Sequence, residues 1–242
     1  MHEMYEHSSI SVRHVKNAYS ALVFSVSQTT HCFFRAAQLD ERYFQNEPDY
    51  KYATIRMIIA NVSDCGSYDY LISNSTESQK SNTIEITLDR GKYVLIVFAD
   101  WQESIQDLKV SCYSEYPIEM FRVDTKKEPN LLEKVMIGYS SLKVELGLEQ
   151  NVKKQLYVDE KCGLVLETFT NETSTPLTLY KSINSMDNLS LQQALNGGIS
   201  IPHNNQQSTL SLQLVIPAGE KRALIFKKNN INTSHNLDSV EK

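Results

Sequence analysis

Hydrophobic and polar positions alternate in short runs along most of the chain. Thr83-Ile-Glu-Ile-Thr-Leu88 has a period of two, the pattern of a strand with one face buried and one in water. Tyr93–Phe98 is apolar without a break, rich in β-branched and aromatic residues, and bounded by Asp89-Arg90-Gly91 before it and Asp100-Trp101 after it. Such a run reads as a strand buried on both faces. Together the two read as a hairpin around Gly91. Val94, Ile96 and Phe98 are then expected to face the core, with Tyr93, Leu95 and Val97 on a second, covered face.

Similar segments recur at Tyr19–Ser27, His31–Gln38, Tyr50–Asn61, Tyr68–Ser73, Lys92–Ala99 and Leu108–Ser114. Short strands at this spacing predict an antiparallel sandwich. A strand at Ile118–Val123 opens the second half. Leu131, Leu132, Val135, Met136, Tyr139 and Leu142 then form a stripe of period near 3.6, which predicts one short helix, the alternative being a ragged pair of strands. Strands resume at Val152–Val158, Leu164–Phe169, Pro176–Tyr180, Gly198–Ile201, Thr209–Ile216 and Arg222–Lys227. LDRGKYVLIVF (88–98) also aligns without gaps on IPAGEKRALIF (216–226), Gly91 over Gly219, which suggests two related halves.

The expected fold is therefore all-β, with two tandem antiparallel β-sandwiches and one short helix at the start of the second. Residues 1–17 are expected to be a flexible N-terminus, 18–116 the first sandwich, 117–228 the second, and 229–242 a flexible tail.

Composition narrows the function. A hydrophobic share of 41% and a charged share of 22% describe a soluble globular chain. Of 29 acidic and 24 Lys/Arg residues, the first 115 positions hold 15 and 10, so the net charge of −5 sits on the first half. Neither half offers the basic face that a nucleic acid requires. The polar start has no apolar signal region, so an intracellular rather than secreted protein is expected. Cys32, Cys65, Cys112 and Cys162 stand singly, with no metal or redox spacing, and read as reduced thiols.

The run VFSVSQTTHCFFRAAQLDERYF (23–44), YKYATIRMIIAN (50–61), ITLDRGKYVLIVFADW (86–101) and LKVSCYSE (108–115) resembles the C2-like β-sandwich of calpains, their domain III. The likeness rests on Gln38, Asp40 and Arg42, on Gly91 and Tyr93, and on Tyr113-Ser114-Glu115. It covers about two-fifths of the chain, and the second half looks like a diverged copy. The resemblance implies a module that accompanies proteolysis without performing it. A papain-type nucleophile, with its glutamine and tryptophan surroundings, is absent: Cys32 lies in an apolar strand and His203 is a lone loop histidine. No enzyme activity is expected.

Alternating strands would bring loops 39–49, 74–82 and 99–107 to one end. They carry Asp40, Glu41, Glu47, Asp49, Glu77, Asp100, Glu103 and Asp107. Calcium takes six to eight oxygens and C2 domains gather it at such an end, so Asp40, Asp49, Asp100 and Asp107 are candidate calcium ligands. The other reading is a solvated acidic end, with Asp40 and Arg42 as a structural ion pair. Trp101 either seals the end of the core or is an exposed anchor for a partner or a lipid surface. The expected function is a non-catalytic interaction or structural module of a larger intracellular assembly in the cytoplasm or cytoskeleton, the cilium included. It needs protein partners and no cofactor. The alternatives are a calcium-dependent C2-type module on a phospholipid membrane, or the regulatory part of a calpain-like protease complex.

Overall fold

A computed structural model of the 242-residue chain describes residues 6–14, 19–44, 50–100, 106–125, 127–128, 130–138, 143–149, 152–191, 210–229, 234 and 236–241. The chain divides into two units, Met1–Glu128 and Pro129–Lys242.

The first unit is built from β1 (Glu6–His14), β2 (Ser20–Val26), β3 (Thr30–Ala37), β4 (Ile55–Val62), β5 (Tyr68–Thr76), β6 (Ser81–Leu88), β7 (Gly91–Ala99), β8 (Gln106–Ser114) and β9 (Met120–Arg122). One sheet has the order β1-β8-β3-β6 and the other β5-β4-β7-β2-β9. Every described pairing is antiparallel. With β9 set aside as an addition beside β2, this is the strand order of a jelly roll, two Greek keys folded face to face. Alternation drives it. Leu22, Phe24 and Val26 of β2, Cys32, Phe34 and Ala36 of β3, and Ile55, Met57 and Ile59 of β4 all enter one shared core.

The second unit contains α1 (Leu131–Ile137), where the apolar stripe predicts a helix, and β10 (Lys143–Glu149), β11 (Val152–Asp159), β12 (Leu164–Asn171), β13 (Leu177–Asp187), β14 (Leu189–Leu191), β15 (Leu210–Ile216), β16 (Lys221–Lys228) and β17 (Asn236–Glu241). Its sheets have the orders β10-β11-β12-β16-β14 and β15-β13-β17. Val165, Phe169, Leu224 and Phe226 from the first meet Ile183, Leu212, Leu214 and Ile216 from the second.

The two units share a wiring pattern. In the first, β2 pairs with β7, β7 with β4, and β3 with both β6 and β8. In the second, β12 pairs with β16, β16 with β14, and β13 with both β15 and β17. Six strands in the same chain order therefore repeat the same neighbours.

Several sequence expectations need correction. Residues 1–17 are not all loose, because Glu6–His14 pairs along its length with β8. Met120–Arg122 belongs to the first unit, paired with β2, so the boundary falls at 128 rather than 116. The expected tail holds β17. Residues 50–54 lead into β4 rather than forming part of it. The expected strand at Gly198–Ile201 lies outside the described residues.

The hairpin around Gly91 is also corrected. β6 pairs with β3 in one sheet and β7 pairs with β2 and β4 in the other, so the chain crosses between sheets at Asp89-Arg90. A two-residue link and alternating strands look alike in sequence whether the strands pair or arch. The faces of β7 are exchanged as well. Tyr93, Leu95, Val97 and Ala99 line the core, while Val94, Ile96 and Phe98 point the other way. All six of the expected positions are buried, so composition could not distinguish the faces.

The gapless echo fails in register. It places Leu95 and Val97, which face the first core, over Ala223 and Ile225, whereas Leu224 and Phe226 face the second. A one-residue offset turns every side chain to the other face. Gly219 has φ of +68°, but Gly91 is not at positive φ. The relation between the halves lies in topology, not in that alignment.

Candidate interaction site

The links that were expected to converge do so. Gln38 is buried and ties the β3–β4 link to the β5–β6 link: its Nε2 donates to the carbonyls of Ala53 (2.8 Å) and Gln79 (2.9 Å), and its Oε1 accepts from the N–H of Ala53 (3.1 Å). The Asp100 N–H bonds the Thr54 carbonyl at 3.0 Å. Asn82, also buried, donates to Ile55 and Asn74 carbonyls nearby. Sidedness follows from strand alternation, which makes this end legible in sequence.

The acids at this end are matched by cations. Asp40 receives Arg42 Nε at 3.0 Å, Arg42 Nη2 at 3.2 Å and Lys80 Nζ at 2.6 Å. These donors, Arg42 first, hold its carboxyl well below the usual carboxylate range. Asp100 is bound by the guanidinium of Arg56, which is fully buried and lies 5.8 Å from the Phe98 ring centroid. Asp107 is on β8, opposite Arg13 of β1 in the register. Asp49 lies outside the described residues, as do Glu47, Trp101 and Glu103. Among the described residues no group of three or more His, Cys, Asp or Glu side chains is placed to hold a metal ion.

An apolar groove of about 490 Å³ opens on the first unit. Its floor and walls come from Val23 and Phe24 of β2, Tyr93 of β7, Val62 of β4, Phe121 of β9, and Pro117. Lys92 and Glu119 supply one charge of each sign. Val23 and Phe121 are register partners on the face away from the core, 39% and 59% exposed. Neither was singled out in sequence. The available signal was an apolar residue at an outward position of β2, between core residues Leu22 and Phe24.

The cysteines divide by burial. Cys32 and Cys112 are core thiols on neighbouring strands; the hydrogen bond between them lowers Cys32 and raises Cys112. Cys65 is exposed at the tip of the β4–β5 hairpin, between Ser63 Oγ at 3.0 Å and Ser67 Oγ at 3.4 Å. These contacts, Ser63 first, lower its pKa to about 7. In the second unit, the buried Glu167 joins Lys154 (2.9 Å) and Lys181 (3.1 Å), and Lys181 lies 5.9 Å from the Phe169 ring centroid. This charge cluster links β12 to β13 across the sandwich. It reads as a structural element, since a buried charge requires such pairing.

No family model matches the chain. No curated protein matches it either. Among solved structures, similarity is found to a protein from Sulfurospirillum deleyianum, at 11% identity over 44% of this chain and 96% of that one, with a TM-score of 0.31. Vicilin from Capsicum annuum is similar at 10% identity over 96% of this chain and 78% of that one, with a TM-score of 0.22. Among the described residues no helix is long and apolar enough to cross a membrane.

Proposed function

We propose that the chain is a non-catalytic interaction module of a larger intracellular assembly, built from sandwiches of the calpain domain III type. The observation that carries this reading is the groove at Val23 and Phe121. Large apolar side chains there stand exposed on a sheet face, with a charge of each sign beside them. An apolar centre with a polar rim is the anatomy of a protein contact. Edge strands β1, β5, β6 and β9 add a second means of contact, by strand addition. The partner is a protein, with no cofactor needed.

A calcium-dependent phospholipid-binding role is the competing reading. It draws less support, because Asp40 and Asp100 already satisfy buried or neighbouring cations. Co-sedimentation of the full chain with phosphatidylserine vesicles, in calcium and in chelator, separates the two. The interaction reading expects equal, low sedimentation in both; vesicle binding that appears only with calcium would displace it.

A further inference from the structure

Helix α1 packs on β16, and one of its side chains reaches the strand's backbone. Glu133 Oε1 accepts a hydrogen bond from the N–H of Ala223 at 2.7 Å. The side chain is 3% exposed, its Oε2 has no hydrogen-bond partner, and Arg222 Nη1 stands 3.9 Å from that oxygen. β14 pairs with β16 opposite Phe226, Lys227 and Lys228. Ala223 lies beyond that pairing, and the carboxyl of Glu133 takes the place of a strand carbonyl at the sheet edge.

The position opposes two demands. The backbone N–H welcomes an anion, yet a buried carboxylate with one oxygen unsatisfied loses its hydration. Arg222 cannot fully compensate, since it also pairs with Glu220 Oε2 at 3.5 Å. The charged groups around the carboxyl are Arg222 on β16, Glu220 on the link before it, and Lys134 on α1 itself. Burial is the largest influence and raises Glu133 above the ordinary carboxylate range.

We infer that Glu133 makes the docking of α1 on the β16 edge a pH-sensitive latch, tight with the carboxyl protonated and loosened when it ionises. The sign follows from linkage. The folded state binds this proton more strongly than the unfolded state does. The contribution is complete below the unfolded value and is lost as pH rises through the raised folded value.

Hydrogen exchange across Leu131–Ile137 and at Ala223, from pH 5 to 8 and corrected for the base-catalysed intrinsic rate, tests this on the full chain. Protection should fall by up to about tenfold per pH unit within the window of ionisation. In Glu133→Gln, protection should not change with pH. Glu220→Gln should move the loosening to lower pH and Arg222→Gln to higher pH, because the first removes a repelling and the second an attracting charge. A flat wild-type profile would overturn the latch, as would a profile unchanged in Glu133→Gln. Should that variant fail to fold, shifts of Glu220→Gln and Arg222→Gln in the same direction, or none, would overturn it.

Discussion

Cys65 shows how much one turn can change a side chain. Ser63 and Ser67 surround its sulfur, favour the thiolate, and leave it exposed, while Cys32, Cys112 and Cys162 are buried. A stoichiometric maleimide should therefore label Cys65 first, with a rate that rises through a midpoint of about 7; Ser63→Ala should move that midpoint up. Peptide mapping after labelling decides it, and first modification at Cys32 would contradict the assignment. Asp100 carries a different kind of role. Its carboxylate compensates the fully buried Arg56 guanidinium, so Asp100→Asn should destabilise the fold by on the order of 3 kcal/mol, equally with and without calcium. Denaturant titrations in both conditions measure this. Position in the loop suggested Asp100 as an acid of interest; its partner could not be read, because Arg56 is distant in sequence and on a different strand.

At the scale of elements, β7 is the centre of the first sandwich, paired on both sides and buried on both faces. Leu95 faces the core, so Leu95→Asp should cost more than about 4 kcal/mol and abolish folding of the first unit, which circular dichroism would show. A native-like melt would place Leu95 elsewhere. The two link glycines should behave differently. Gly219 sits at φ +68° in open space, so Gly219→Val should cost about 1–2 kcal/mol through the backbone alone. Gly91 lacks positive φ, and an added Cβ would come within 3.3 Å of the Tyr93 hydroxyl, so Gly91→Ala depends on the ring giving way. Thermal midpoints of both variants check this. Strand positions and the helix of the second unit were legible because period two and period 3.6 are local properties. Which strand pairs with which was not, since the arch at Asp89-Arg90 and a hairpin share the same residues. β1 and β17 were missed for a related reason: their stretches, Glu6–His14 and Asn236–Glu241, are mostly polar and pair at sheet edges, and in β1 only the short alternation of Ile10 and Val12 reaches the core.

For the whole molecule, the jelly-roll order of the first unit and the matching neighbours of six strands in the second give several strand edges. Asp40 and Asp100 were legible as acids at one end, and Arg42 as a partner of Asp40, but Lys80 on the β5–β6 link and Arg56 on β4 are distant in sequence. The Val23–Phe121 groove was not legible, because it needs β9 to fold back beside β2. The interaction reading rests on that groove. Phe121→Asp is a surface change, and its effect on stability should stay within about 0.5 kcal/mol. The most direct measurement is quantitative co-purification of the full chain and of the Phe121→Asp variant from the same extract, in calcium and in chelator, with melting curves recorded alongside. The expected result is a defined set of proteins retained by the unmodified chain in both conditions and lost from an equally stable variant. Equal retention by both chains, or retention that requires calcium and survives Phe121→Asp, would contradict it.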